Sequence, residues 1–323
     1  MNSRDNQITR RQALCALSSS MALPVVAGAT EATRLVARSP LAFNDPIWNR
    51  EMVARLEADV APGKFVHGYL SGTVHGVRDG EAVRPLFGFE TWSSTRVVRQ
   101  PDQSYQRMCR ELIFYRDIET GKLLDEWTNV YTGERVKVVD VANDPYNFII
   151  SEFVPERVKH GSEKPEQNTR RRPLLLKWGM IGDRTVTLER DVHLYYPAVL
   201  TPDKWPRESS GYMNRVSEIF RYVIRREDIE NPELTHIPYT GVWVRVTPWL
   251  PWMLMDGAPG HIFYTGMFTT VRGLDAVPAD VAERVRTRYP LYLTAPEAWQ
   301  EPSVSSLEDY ARTQKPAPSK STK

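Results

Sequence analysis

Cysteine is nearly absent from this sequence: two in 323 residues. Cys15 falls in a leader-like segment and Cys109 stands alone, so the folded part has no partner for an internal disulfide and no thiolate pair for a metal. Histidine is scarce too. His67, His75, His160, His193, His236 and His261 are the six, and none has the spacing of an HExxH helix. His67 and His75 share strand parity but stand too far apart on an extended strand to chelate together, so a metal site would have to be assembled from distant strands. No glycine-rich dinucleotide fingerprint or phosphate loop occurs, which gives no support for an organic cofactor. A GxSxG elbow is missing, and Ser209–Ser210 before Gly211 lacks a strand-to-helix setting, which argues against serine-based hydrolysis. Past the first thirty residues no apolar run is long enough to span a bilayer, so the mature chain carries no integral membrane segment in this reading.

An excess of one charge is also lacking. Forty-two basic and forty acidic residues give a formal net charge of +2. Residues 1–29 hold three arginines and one aspartate, so the remainder is close to neutral and gives no basis for nucleic-acid binding. Those residues read as an address. Arg10 and Arg11 sit in TRRQAL, ahead of an apolar run and small residues at Ala27 and Ala29. This is the plan of a twin-arginine signal peptide, which implies the twin-arginine export machinery as a partner and the periplasm as destination. Residues 30–44 follow as a linker.

What is abundant is β-forming, aromatic sequence. Pro46 opens a helical stretch, DPIWNREMVARLEAD, and from Phe65 the period changes to two. KFVHGYLSGTVHGV, PLFGFETWSSTRVVRQ, YQRMCRELIFYRDI, KLLDEWTNVY and ERVKVVDV read as successive strands, with glycine turns in DIETGKL and VYTGER. PLLLKWGMIGDRTVTLERDVHLYYP adds two strands turning near Gly182. MNRVSEIFRYVIR fits neither period cleanly and is a strand or a helix. GVWVRVTPW and HIFYTGMFTTVRG return to strand, and PADVAERVRTRYP is a short helix. Antiparallel strands without βαβ spacing predict a mainly β fold: a large antiparallel β-barrel or strongly curved sheet, calycin-like, with peripheral helices. One domain over 45–305 is expected, with a disordered tail over 306–323. A barrel of about nine or ten strands would enclose a small molecule.

Strand parity then selects candidate residues. Asp191 and His193 lie two apart on one face, where a carboxylate fixes the tautomer of a histidine base; a hydrogen-bonded structural pair or a solvated polar strand are the alternatives. Trp243, Arg245, Thr247 and Trp249 share another face, setting an arginine between two indoles, where it holds an anionic oxygen or simply stacks. The prolines of TPWLPW stop a central strand and make a rigid connector, either a pocket rim or core packing. Glu90 with Trp92, Glu111 with Tyr115, and Trp127 with Asn129 are further wall candidates, joined by Tyr195, His261 and Tyr264.

The twin-arginine leader together with NDPIWNREMVARLEADV, PLFGFETWSSTRV, LLDEWTNVYTGE and GHIFYTGMF resembles the bacterial and fungal family known as domain of unknown function 1838. The resemblance implies one folded unit over residues 40 to 305 and no assigned catalytic residues. The expected function is that of an exported small-molecule enzyme without an organic cofactor. His193, assisted by Asp191, would move a proton while Arg245 stabilised oxygen charge, giving isomerisation, elimination or hydration of a hydrophobic oxygenated aromatic or isoprenoid compound. The alternatives are a periplasmic binding protein for a hydrophobic ligand, a metal-dependent lyase or hydrolase, and a partner protein using exposed tryptophans. The sequence leaves the oligomeric state open.

Overall fold

Pro46 presets the first turn of a helix, and Asp45 caps it by accepting the Ile47 N–H at 2.9 Å. This helix, α1 (Pro46–Glu57), buries Met52, Val53, Ala54 and Leu56. The computed structural model describes residues 39–156, 170–300 and 303–319. The leader at 1–29, most of the linker and His160 lie outside the described residues. The linker's last residues are docked: the Ser39 N–H donates to Glu230 O at 2.8 Å, and Phe43 stacks on Trp178 with centroids 5.7 Å apart.

Three long strands follow the helix: β1 (Val66–Val77), β2 (Arg84–Arg99) and β3 (Tyr105–Arg116). Next come six short ones: β4 (Glu126–Thr128), β5 (Arg135–Lys137), β6 (Val141–Asn143), β7 (Phe148–Ile150), β8 (Phe153–Pro155) and β9 (Arg171–Pro173). The chain continues through β10 (Lys177–Ile181), β11 (Thr185–Pro197), β12 (Met213–Arg225), the single-turn α2 (Arg226–Ile229), β13 (Thr240–Thr247) and β14 (His261–Val271). It ends in α3 (Ala279–Arg288) and α4 (Ser306–Thr313). MNRVSEIFRYVIR is thus a strand, and Gly121 and Gly182, with φ of 69° and 62°, make the turns that only glycine takes easily.

Ten strands form one antiparallel sheet in the order β10-β11-β12-β13-β14-β1-β2-β3-β6, with β7 also on β3; β4-β5 and β8-β9 are separate two-stranded sheets. This corrects the barrel expectation. The sheet is neither closed nor strongly curved, its edge strands do not pair with each other, and with its helices the fold is mixed α and β. The stretches read as further wall, KLLDEWTNVY and ERVKVVDV, contract to the β4-β5 hairpin. Asn129 turns this chain: its Oδ1 accepts the Tyr131 N–H at 2.9 Å and its Nδ2 donates to Met253 O at 2.7 Å. Trp127 and Val136 then face the core instead of extending a wall.

Both faces of the sheet are partly covered. The inner face packs on α1, the β4-β5 hairpin and the 3-10 turn Pro251–Met253, through Phe87, Phe89, Tyr115, Trp243 and Trp252. The other face of β2 and β3 is covered by α3 and its approach, with Trp92, Leu112 and Phe114 against Val281 and Val285. The tail expected to be disordered instead holds α4, whose Ser305 and Glu308 form a reciprocal capping box. Tyr310 packs on Trp205 at 5.8 Å, and Arg207 donates to Pro318 O at 3.3 Å. Among the described residues no helix is long and apolar enough to cross a membrane.

Candidate functional site

The register decides which side chains meet. Directly opposed residues share a face, so Glu218 of β12, Arg245 of β13 and Tyr264 of β14 form one row on the inner face. The adjacent row is Arg190, Phe220, Trp243, Gly266, Gly72, Phe89 and Tyr115. Glycines at 72 and 266 are needed there: a Cβ on Gly266 would lie 2.8 Å from the Phe89 ring, and one on Gly72 would collide with Thr265 O.

Two charge clusters occupy this face, and they differ in how fully they are bonded. Glu57, at the C-terminus of α1, bridges Arg107 of β3 at 3.1 Å and Arg190 of β11 at 2.5 Å. Arg107 also donates to Tyr146 O at 3.0 Å and lies over the Tyr146 and Phe148 rings at 5.1 and 4.8 Å. Burial pushes the Glu57 carboxyl up, but the two guanidinium groups outweigh it and hold it below its ordinary value. This cluster is a structural clamp.

The second cluster is underbonded. Arg245 has five N–H donors, yet among the described residues it makes only a 3.3 Å ion-pair contact to Glu218, and its Nε is buried without a partner. Water still reaches both side chains, which are 23% and 17% exposed. Burial would depress the guanidinium, but Glu218 and then Tyr264 hold it above its ordinary value. Glu111 of β3 has neither a hydrogen bond nor an ion pair within the described residues; burial, then the charge of Glu218, raise its carboxyl. Asn143 Oδ1, opposite Glu111, and Trp243 Nε1 are also buried on this face without a partner, whereas the Tyr115 hydroxyl meets that of Tyr264 and the Asn214 side chain meets Tyr196. Buried polar atoms in folded proteins are nearly always paired with protein groups or with water, and water reaches this cluster through Arg245 and Glu218. Beside it, Phe220 and Leu70 are only half-buried, leaving apolar surface open.

The expected trio does not converge. His193 and Asp191 do pair, at 3.1 Å, but on the outer face, where His193 is 58% exposed and also meets Ser217 Oγ at 3.1 Å. Lys177 draws Asp191 away at 2.9 Å and, with His193, lowers its carboxyl. Alternation then forbids their meeting Arg245: His193 opposes Ser217, whereas Arg245 opposes Glu218, on the other side of the sheet. The lyase and isomerase chemistry that rested on this trio has no support. Tyr195 lies on the same outer face, 64% exposed, and parity puts His261 there too.

The other candidates divide. Arg245, Trp243, Tyr264, Glu111 and Tyr115 share the inner face. Glu90 and Trp92 lie on the opposite side beneath α3: Glu90 binds Tyr69 and, at 2.8 Å, Arg116, while the Trp92 indole donates to Tyr292 O at 2.9 Å. Trp127, Trp249 and Asn129 are core. Trp249 donates to Ala258 O at 3.0 Å, and Trp252 packs on Phe87, Tyr115 and Trp127 within 6 Å, so the aromatic connector is a plug, not a rim. Missed altogether were Glu218, Arg107 and Glu57. Glu218 carried a signal: with β12 read as a strand, it interrupts the otherwise mostly apolar parity Val216, Phe220, Tyr222, Ile224. Among the described residues no group of three or more His, Cys, Asp or Glu is placed to hold a metal ion.

The chain belongs to the family described as protein of unknown function (DUF1838), whose model it matches over residues 64–314. The match begins after α1 and runs through α4. A comparison with curated proteins finds no match.

Proposed function

We propose that the protein is an exported binding protein for a small, largely apolar molecule that presents acceptor oxygens. One observation carries this reading: Arg245, accessible to water on the inner face, meets Glu218 at 3.3 Å and keeps its buried Nε without a partner among the described residues. Arg107, by contrast, bonds Glu57 and Tyr146 O, and Arg190 bonds Glu57 and the Tyr222 hydroxyl. Trp243 Nε1 adds a donor, while Phe220 and Leu70 offer apolar surface to a ligand's body. The leader with Arg10 and Arg11 supports delivery to the periplasm through the twin-arginine machinery.

The test is thermal unfolding against a library of aromatic and terpenoid acids, ketones and alcohols. At one hundred times Kd a ligand adds about 2.7 kcal/mol, which moves Tm by several degrees. Hits should stabilise the wild type and not Arg245→Met. If no oxygenated compound shifts Tm, or if the shifts persist in Arg245→Met, the reading fails.

A further inference from the structure

On an antiparallel sheet with one solvated face, the outward positions are normally polar. The outer face of this sheet departs from that rule over β12, β13 and β14. After Thr240, every outward residue of β13 is valine: Val242, Val244 and Val246. The register sets Ile219 of β12 beside Val244, and Met267 and Phe263 of β14 beside Val242 and Val246, with Val223 at the end of the paired run of β12. Val242 is 48% and Met267 63% exposed, and Ile219 and Val223 are exposed as well. Branched residues favour strands wherever they lie, but methionine does not, so strand preference leaves Met267 unexplained. Helix α3 and its approach cover this face over β2 and β3, and beyond them reach only Tyr69 of β1 and Val271 at the end of β14.

We propose that this face is the interface of a homodimer, in which the outer faces of two copies pack sheet on sheet about a two-fold axis. Area supports it. Six strands, β10 to β14 with β1, span about 29 Å at a spacing of about 4.8 Å, and the seven residues over which β12 pairs with β13 span about 24 Å. The product, roughly 700 Å², is close to the roughly 800 Å² that each partner gives to a standard interface. The layout agrees: an apolar centre is bordered by charge on β10 and β11 and by the hydroxyls of Ser71 and Thr73 on β1. Charge decides between occupants. Within the seven-residue span Lys177 and Arg221 offset Glu189 and Asp191, and they pair with one another, Lys177 with Asp191 at 2.9 Å and Arg221 with Glu189. A two-fold contact sets a surface against itself, so it needs such a balance. Beyond residue 29 the chain holds 39 basic and 39 acidic residues, the 42 and 40 of the whole less three arginines and one aspartate, so two copies approach without long-range repulsion. A bilayer instead favours an apolar face whose rim is rich in lysine and arginine, and an added strand needs an unpaired edge, which β12, β13 and β14 lack. Sheet packing at about 10 Å also calls for a partner of matching flatness. A second copy brings one, since this sheet is not strongly curved. In that dimer the inner faces, with Arg245, point away from the contact and stay open to solvent.

Sedimentation velocity of the full chain over a micromolar concentration series tests this. The wild type should sediment as a dimer. Val242→Glu and Met267→Glu should sediment as monomers: each new charge enters a two-fold contact twice, which should raise the dimer dissociation constant at least about a hundredfold. Ile118→Glu is the control, 51% exposed but on the connection from β3 to β4, and it should remain dimeric. Thr265→Arg, at the centre of the face beside Val244, removes no large apolar side chain; it should also give a monomer, and it decides the matter if the glutamate variants do not fold. A monomeric wild type overturns the proposal; flotation of that monomer with vesicles of phosphatidylethanolamine and phosphatidylglycerol would assign the face to lipid instead. A dimer that persists in Val242→Glu, Met267→Glu and Thr265→Arg overturns it as well, because the contact then lies elsewhere, and so does an Ile118→Glu protein that is equally monomeric.

Discussion

Replacing Glu57 by glutamine removes one charge and almost no volume, and it should be among the more damaging isosteric changes in the protein. Its carboxylate is 14% exposed and answers two guanidinium groups, Arg107 at 10% and Arg190 at 27% exposure, which belong to strands far apart in the sheet order. Breaking a buried pair by deleting one partner costs about 3–5 kcal/mol, because the remaining charge stays buried without compensation. Arg107 keeps Tyr146 O and two aromatic rings, and Arg190 is partly solvated, so the lower end, about 3 kcal/mol, applies here. For a domain of this size that is a fall in Tm of roughly 6–10 °C. Glu126→Gln is the control: its pair with Arg135 has both side chains more than half exposed, and its loss should cost less than about 1 kcal/mol. The pH dependence has a definite sign. Glu57's folded pKa is depressed, so its contribution is fully present above the unfolded value near 4.3 and is lost as pH falls through the folded pKa. Urea denaturation at pH 7 and at successively lower pH measures both effects. Equal stability of the Glu57→Gln and Glu126→Gln proteins, or an acid limb identical to the wild type's, would show that the clamp does not hold the wings of the sheet.

Trp252→Ala should cost about 3–5 kcal/mol by denaturant unfolding, since the indole is 3% exposed and fills the space between Phe87, Tyr115 and Trp127. His193→Ala should change stability by less than about 1 kcal/mol and leave ligand affinity at the wild-type value, because its pair with Asp191 is solvated on the outer face; a tenfold loss of affinity would return this histidine to the site. Replacing Arg10 and Arg11 by lysine should keep the protein out of the periplasmic fraction, and export of that variant at wild-type levels would remove the twin-arginine reading.

How much was legible in the sequence follows from periodicity. Alternation in β1, β2, β3, β11 and β14 is strong enough to read, and Pro46 announces α1. MNRVSEIFRYVIR stayed ambiguous because Glu218 breaks the apolar alternation of β12 where it pairs with Arg245. Parity rightly grouped Trp243 with Arg245 and Asp191 with His193, but it cannot say which face of one strand continues the face of another. That depends on register, and register put the histidine outside and the arginine inside. Openness was equally hidden. The segments that would have finished a wall, around Trp127 and Val136, carry strand-like composition, yet Asn129 folds them into a plug. The ion clamp joins Glu57 to residues 50 and 133 positions away, a distance over which local pattern carries no information.

A sheet that does not close on itself exposes two rims of unpaired backbone, and such rims invite other chains to add a strand. Here each rim is poor bait. One is β10, five residues long, with a charged lysine at its start and a glycine at its centre. The other is divided between β6 and β7, three residues each, with Pro145 between them offering no N–H. The molecule thereby gains protection from fibrous self-association without a closed wall.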